Sequence, residues 1–201
     1  MRIAIVTDAW HPQVNGVVRT LDTTREHLTR LNHTVQMITP VTFSTVPCPT
    51  YPSIRLALRP GPQVQRILRE FAPNAIHIAT EGPLGHAARR YCLTHHLPFT
   101  TSFLTQFPEY LRLRAPVPIA WAYPYIRRFH QAAVRTLVPT ETQLAKLAAR
   151  AFQHLCRWAR GVDLEIFNPT EPVHLRLPRP IAVYMGRVAV EKNYRSISSL
   201  P

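Results

Sequence analysis

The sequence predicts an α/β fold whose sheet is mostly parallel and carries helices on both faces. Short apolar runs rich in β-branched residues alternate with segments whose apolar residues recur at helical spacing. The first run, residues 3–7, is continuously apolar, which is typical of a strand buried on both faces of a parallel sheet. With 201 residues and 46% hydrophobic composition, the chain is long enough to bury such a core.

The remaining elements follow in order along the chain. Strands are predicted at 3–7, 34–38, 54–58, 75–79, 99–103, 135–138 and 155–159. Helices are predicted at 17–31, 64–71, 84–93, 115–134 and 142–152. Residues 41–53 hold Pro47, Pro49 and Pro52, and this density of proline predicts a loop.

The proline distribution also divides the chain into domains. Residues 1–168 are predicted to form the first domain, and the Pro-rich residues 169–180 form a linker. An apolar strand then opens a second domain, but only fifteen residues follow Gly186. Because a domain of this kind needs about 100 residues to enclose a core, residues 181–201 are expected to be a truncated start.

Charge and cysteine content limit the classes of binding partner and the cellular compartments that fit the chain. The formal charge is +13, and 22 of the 24 positive residues are arginines spread along the whole chain. This spread fits a solvated surface, with anionic lipid and nucleotide phosphates as alternatives, and it disfavours nucleic acid, which usually meets concentrated charge. No apolar run approaches the roughly 18–20 residues of a membrane span. Three distant cysteines indicate reduced thiols, so we expect a cytoplasmic protein, with peripheral contact at the inner membrane surface left open.

Two loops at predicted strand ends carry the first candidate binding residues. Asn15 and Gly16 stand where the first loop gives way to a helix. Because glycine lacks a Cβ, backbone N–H groups can approach a phosphate or sugar oxygen there, although the same residue also suits a plain tight turn. Glu81 follows a later strand, where its carboxylate suits either a ligand hydroxyl or the cap of the next helix. No spacing of His, Cys and Asp indicates a metal site.

Two further segments place polar residues at strand ends. Residues 101–110 lie at the carboxyl end of the strand at 99–103 and would bring Glu109 and Tyr110 towards the same crevice. Arg187 and Lys192 lie five residues apart after Gly186, and a flexible loop can direct both at one diphosphate. By itself the latter string fits a solvated loop equally well.

Five ordered segments together resemble glycosyltransferase family 4. They are TDAWHPQVNGVVRTL (7–21), TEGPLG (80–85), TSFLTQFPEY (101–110), WARGVDLEIFNP (158–169) and YMGRVAVEKN (184–193). Within the family the chain looks most like bacterial GDP-mannose-dependent α-mannosyltransferases and their sulfoquinovosyl-diacylglycerol synthase relatives. The resemblance covers about residues 2–193 and implies the GT-B architecture of two facing Rossmann-like domains. Of these, the chain holds the N-terminal, acceptor-side domain.

The resemblance implies retaining transfer of a mannosyl or related hexosyl group from a nucleotide sugar such as GDP-mannose. The acceptor would be a lipid or glycan hydroxyl, and neither a metal nor another cofactor is expected. By the same resemblance, the donor diphosphate is contacted by Gly16, Arg187 and Lys192. The acceptor or substrate is contacted by Asn15, Glu81, Glu109 and Tyr110.

Two departures from the family pattern bear on activity. The family's T-S-[FY]-H-T motif has a histidine where this chain has Leu104, and leucine cannot form a hydrogen bond with a sugar hydroxyl. Losing such a contact should cost about 2–4 kcal/mol of transition-state stabilisation. The family's downstream E-x7-E motif is missing, because a Ser-rich tail ends at Pro201. We therefore expect a truncated or frameshifted reading of a longer gene, with no intact catalytic residue and no sugar transfer by the isolated chain.

One alternative function remains open at this point. A non-catalytic module that binds anionic lipid or an acceptor glycan would account for the charge of +13. The aromatic, arginine-bearing segment 121–129 is the part of the sequence that would suit such a surface.

Overall fold

A computed structural model describes residues 1–48, 51–104, 119–168 and 181. Its strands are β1 (Arg2–Val6), β2 (Thr34–Ile38), β3 (Thr45–Cys48), β4 (Tyr51–Ala57), β5 (Ala75–Ile78), β6 (Thr100–Ser102), β7 (Arg135–Val138) and β8 (Leu155–Arg157). Its helices are α1 (Gly16–Arg30), α2 (Gly61–Phe71), α3 (Pro83–Thr94), α4 (Ile119–His130) and α5 (Glu141–Ala148). The predicted linker at 169–180 and nearly all of the predicted second domain lie outside the described residues.

Six strands form the central sheet, in the order β2-β1-β5-β6-β7-β8. Every neighbouring pair in this order is parallel. Strand β1 lies between β2 and β5, and its Ile3 stands opposite both Val35 and Ala75. The predicted mostly parallel α/β fold is therefore confirmed. The chain adds β2 on one side of β1 and then adds β5, β6, β7 and β8 in succession on the other side.

Alternation along β1 separates the two faces of the sheet. Ala4 and Val6 join the core cluster that holds the buried sides of α2 and α3, whereas Ile5 joins Leu21 of α1. Helices α4 and α5 close the same face as α2 and α3, over Phe103 and Val138. Helices thus cover both faces, as predicted, with α1 alone on its side in the described part of the chain.

The prediction of a loop at residues 41–53 was wrong. After a short 3-10 turn at Pro40–Thr42, β3 and β4 form an antiparallel hairpin outside the main sheet. Proline removes a backbone donor, but an isolated pair of strands has a free edge on each side, and Pro47 is accommodated opposite Arg55. The Arg55 guanidinium donates to the Thr45 hydroxyl and carbonyl oxygens, at 3.0 Å each, and so holds the hairpin together.

Two helix boundaries also differ from the prediction. The helix expected to reach residue 152 ends at Ala148, because Ala151 takes a φ of 59° and the Phe152 N–H turns back to the Leu147 carbonyl (3.1 Å). Helix α4 ends at His130, whereas the prediction placed its end at residue 134, and its described part begins at Ile119. Among the described residues no helix is long and apolar enough to cross a membrane.

Candidate functional site

The candidate site lies along the carboxyl edge of the sheet. The strands β1, β5, β6 and β8 are parallel, so the loops that follow them emerge at the same edge. Open α/β sheets bind ligands there because loop side chains and helix N-termini meet at this edge. The predicted residues Asn15, Gly16, Glu81 and Leu104 all belong to these loops or to the helix starts beside them.

Asp8 fastens the first of these loops to the N-terminus of α3. Its carboxylate accepts hydrogen bonds from the Leu84 N–H (2.9 Å), the Gly85 N–H (3.4 Å) and the Thr80 hydroxyl (2.8 Å). The Asp8 N–H in turn donates to the Thr80 oxygen at 2.7 Å. Only 6% of Asp8 is exposed, and this burial raises the pKa of its carboxyl against the opposing effect of the hydrogen bonds. Asp8 therefore supplies the cap that α3 lacks in its own sequence.

Glycines make this close approach possible. Gly82 is the N-cap of α3, and a Cβ there would overlap the Asp8 carboxylate. A Cβ on Gly85 would overlap the Thr80 carbonyl oxygen. The TEGPLG segment thus uses its glycines to let the β1 and β5 loops meet, a function that the sequence analysis did not assign to them.

Asn15 and Gly16 form the start of α1. The Asn15 side-chain oxygen accepts from the Val17 and Val18 N–H groups, both at 3.0 Å, and so caps the helix. The Gly16 N–H has no hydrogen-bond partner among the described residues, and no acidic residue lies in the first turn of α1. This leaves the positive end of the helix dipole open at Gly16.

Arg160 approaches the same helix end from the segment after β8. Its Nη1 atom would stand 3.4 Å from a Cβ built on Gly16. Partial burial lowers the pKa of Arg160, which remains a cation at neutral pH. An ion pair between Arg19 and Asp163 (3.6 Å) ties this segment to α1. Arg160 belongs to the family segment at 158–169 but was not among the predicted binding residues, because no sequence spacing links it to residue 16.

Glu81 points away from α1, to the face that carries α4. Its Oε1 atom lies 3.1 Å from Nε2 of His130, whose Nδ1 lies 2.9 Å from the Thr101 hydroxyl. Thr101 in turn contacts the Thr136 hydroxyl at 3.0 Å, and His130 is only 2% exposed. The alternative that Glu81 caps α3 is not what is observed, since Asp8 performs that task. The β1 and β5 loops are brought together, but the side chain of Glu81 and the start of α1 diverge.

Leu104 packs on the α1 side of the edge. With Trp10 and Trp158 it lies against the buried cluster of Ile5, Leu21 and Ala79. On the same face, His77 contacts the hydroxyls of Thr100 (2.8 Å) and Ser102 (3.2 Å), and its ring meets Trp158 edge-on. Burial lowers the pKa of His77 to about 4, so its imidazole is neutral at physiological pH.

The other predicted binding residues, Glu109, Tyr110, Arg187 and Lys192, lie outside the described residues. Their assignment remains a prediction.

Comparison with known proteins shows the family to which the chain belongs. The model of Glycosyltransferase Family 4 matches residues 14–166, which include α1, the TEGPLG segment and the segment after β8. The chain belongs to glycosyltransferase family 4. The family expected from the five ordered segments is thereby confirmed.

Two bacterial relatives match the whole chain, and a plant relative matches most of it. A GDP-mannose-dependent alpha-mannosyltransferase of Mycolicibacterium smegmatis is 33% identical over 227 aligned positions, which span 100% of this chain and 60% of the relative. Its Mycobacterium tuberculosis counterpart is 30% identical and is covered over 59% of its length. Sulfoquinovosyl transferase SQD2 of Arabidopsis thaliana is 30% identical over 77% of this chain and 32% of its own length. The chain thus spans about three fifths of the two bacterial relatives.

Proposed function

We propose that this chain supplies the acceptor-side half of a retaining, nucleotide-sugar-dependent hexosyltransferase, with GDP-mannose as the donor. The observation that carries the proposal is the start of α1 in a family 4 chain, where the described residues give neither the Gly16 N–H nor the Arg160 guanidinium a hydrogen-bond or ion-pair partner. The open N-terminus at Gly16 and the Arg160 guanidinium face one another with no acidic group in the first turn of the helix. Such a place suits the diphosphate of a nucleotide sugar.

The proposed chemistry is a sugar transfer. It breaks the bond between the anomeric carbon and the diphosphate oxygen and forms a bond between that carbon and an acceptor oxygen, while the acceptor hydroxyl gives up its proton to the departing diphosphate. Negative charge develops on the departing diphosphate, so fixed cations and N–H groups beside it lower the barrier. In this proposal Gly16 and Arg160 act from the described domain, and Arg187 and Lys192 act from the segment beyond it.

The acceptor side is proposed to lie beside the β5 loop. Nε2 of His130 lies 3.1 Å from one carboxylate oxygen of Glu81 and thereby fixes the orientation of the Glu81 side chain, which is 10% exposed. The second oxygen is then free to accept a hydrogen bond from a sugar or lipid-headgroup hydroxyl. Glu109 and Tyr110 are proposed to complete this acceptor region, and Asn15 is proposed to contact the substrate separately, from the start of α1. Lipid acceptors would bring the +13 chain to the inner membrane surface, where anionic headgroups attract it.

Activity is proposed to require the donor-side half. We expect no transfer from GDP-mannose or UDP-sugars by the 201-residue chain alone, measured as labelled sugar appearing in lipid or glycan acceptors. Joining the chain to the downstream part of the Mycolicibacterium smegmatis relative should produce mannosyl transfer. If the chimera folds and binds GDP-mannose but transfers nothing to any acceptor, the alternative of a non-catalytic glycan- or lipid-binding module is favoured instead.

Leu104 provides a sharper test within the same chimera. Leu104→His restores the hydrogen-bonding side chain of the family motif, and we expect kcat/KM to rise about 30-fold or more, equivalent to about 2 kcal/mol or more. Leu104→Met is the matched control, because it keeps the apolar packing against the cluster of Ile5, Leu21 and Ala79 and should leave the rate unchanged. Equal rates for the His and Met variants would contradict the proposed role of this position.

A further inference from the structure

A cavity of about 530 Å³ opens between the start of α2 and one side of α3, away from the α1 edge. The segment Pro60–Pro62 and Gln65 form the α2 side of the cavity. On α3 the lining residues are Pro83, His86, Ala87, Arg90, Tyr91 and Thr94, which recur every three or four positions and therefore lie on one stripe of the helix. Two prolines flank a glycine at this α2 side, and their rings restrict the backbone there.

The lining of the cavity is strongly biased towards cations and hydrogen-bond donors. Two arginines, Arg59 and Arg90, and two histidines, His86 and His95, line it, and the described lining contains no Asp or Glu. The Tyr91 hydroxyl, the Thr94 hydroxyl and the Gln65 amide add neutral polar groups. A cavity of this composition favours an anion over a neutral or cationic ligand.

The two arginines of the cavity have no role in holding the fold together. The neighbouring Arg89 donates to the Phe129 and Arg128 carbonyls, both at 3.0 Å, and so fastens α3 to the end of α4. Within the described ranges neither Arg90 nor Arg59 forms a hydrogen bond or ion pair. Arg59 also takes a φ of 45°, a left-handed conformation that costs a non-glycine residue free energy. The two guanidinium groups are thus left available to an external partner.

The other polar groups of the cavity are fixed in place. Nε2 of His86 lies 2.7 Å from the Tyr125 hydroxyl, and its ring meets Phe129 edge-on. The rings of Tyr91 and His95 lie 4.5 Å apart and support one another. Because neighbouring side chains hold these polar groups in place, less conformational entropy is lost when a ligand binds to them.

We propose that this cavity binds a phosphate ester, clamped between the guanidinium groups of Arg59 and Arg90. Guanidinium groups pair with phosphate oxygens through two parallel N–H···O bonds, which a phosphate held between two arginines can use on both sides. The ester can be carried by a soluble hydroxylated molecule or by the headgroup of a lipid, because both present the same phosphate to the cavity. The inference goes beyond the proposed sugar transfer and does not require it.

The test compares two double variants of the full 201-residue chain. Arg59→Gln/Arg90→Gln removes both cavity cations, whereas Arg66→Gln/Arg69→Gln removes two exposed arginines of α2 that do not line the cavity. The two variants carry the same change in net charge. Circular dichroism melting should show both folded, since none of the four side chains forms a described hydrogen bond or ion pair, and Arg90→Gln alone replaces the first pair if it does not fold.

Two probes distinguish the sources of the phosphate. Titration calorimetry uses glycerol 3-phosphate as the soluble ester, and co-sedimentation uses phosphatidylcholine vesicles with and without phosphatidylglycerol. We expect saturable binding of at least one probe, weakened about tenfold or more by the cavity variant and retained by the α2 control. Glycerol 3-phosphate binding indicates a soluble ligand, and binding only to phosphatidylglycerol vesicles indicates a lipid headgroup.

Two outcomes would overturn the proposal. One is the absence of binding to either probe by the unmodified chain. The other is an equal loss of binding in both double variants, which would mean that net charge alone attracts the anion. Sugar transfer by a chimera is unaffected by either result, so failure here is separable from failure of the proposed transferase function.

Discussion

The two halves of the carboxyl edge are built in contrasting ways. On the β1–β5 side, Asp8, Thr80 and the start of α3 form a buried set of hydrogen bonds with glycines packed against them. On the α1–β8 side, the Arg160 guanidinium approaches Gly16, and the described residues give neither this guanidinium nor the Gly16 N–H a hydrogen-bond or ion-pair partner. The β1–β5 side therefore holds the loops in position, whereas the α1–β8 side leaves its positive charge available to a ligand.

Removing the carboxylate of Asp8 tests the fixed half and should have the largest effect. In Asp8→Ala, two N–H groups at the start of α3 and the Thr80 hydroxyl lose their acceptor in a buried place. We expect the free energy of unfolding to fall by about 3 kcal/mol, measured by urea denaturation. Glu26→Ala is the control, because Glu26 is half exposed with Arg25 at 3.8 Å, and its loss should cost under about 0.5 kcal/mol. Similar losses for the two variants would show that Asp8 does not fasten the loops.

His77 lies where the two halves meet, and its effect depends on pH. The pKa of His77 is lowered to about 4 in the folded chain, against 6.5 for an unperturbed histidine, so the unfolded state binds more protons between these values. Stability is therefore fully present above pH 6.5 and is lost as the pH falls towards 4, by about 3 kcal/mol. His77→Gln can keep hydrogen bonds to Thr100 and Ser102 but does not titrate, so this part of the pH dependence should disappear. An unchanged slope of unfolding free energy between pH 4 and 6.5 in the variant would contradict the assignment.

The open half should show almost no stability effect. Arg160→Gln removes a guanidinium for which the described residues provide no hydrogen bond or ion pair. The free energy of unfolding should change by less than about 0.5 kcal/mol, in contrast to the Asp8 variant. Urea denaturation of both variants in the same buffer makes the comparison directly, and a large loss for Arg160→Gln would mean that both halves are structural.

Sequence periodicity was sufficient for the elements that repeat a local pattern. The continuous apolar run at 3–7 located β1, and the helical spacing after Gly16 located α1, because both signals come from neighbouring residues. The hairpin of β3 and β4 was missed because its prolines oppose strand formation locally, and only the absence of neighbouring strands makes them acceptable.

The contacts of the site could be predicted less well than its position. That Gly16 and Glu81 stand at strand ends follows from the order of elements. Two contacts of the site join residues that are far apart in the sequence. Asp8 caps α3 across a separation of 76 positions, and His130 holds Glu81 across 49, so no local pattern connects either pair. An acidic residue directly after a buried strand, followed later by a helix with a glycine cap, is the signal that would have directed attention to Asp8.

The measurement that tests the central claim most directly is a titration of the isotope-labelled chain with GDP, followed by NMR. We expect the largest shifts on the Gly16 and Val17 amides and on the Arg160 side chain. We also expect Arg160→Gln to weaken GDP binding about tenfold without moving the unfolding transition. Shifts confined to other surfaces, or equal GDP affinity in the variant, would contradict the proposal that the start of α1 and Arg160 receive the diphosphate.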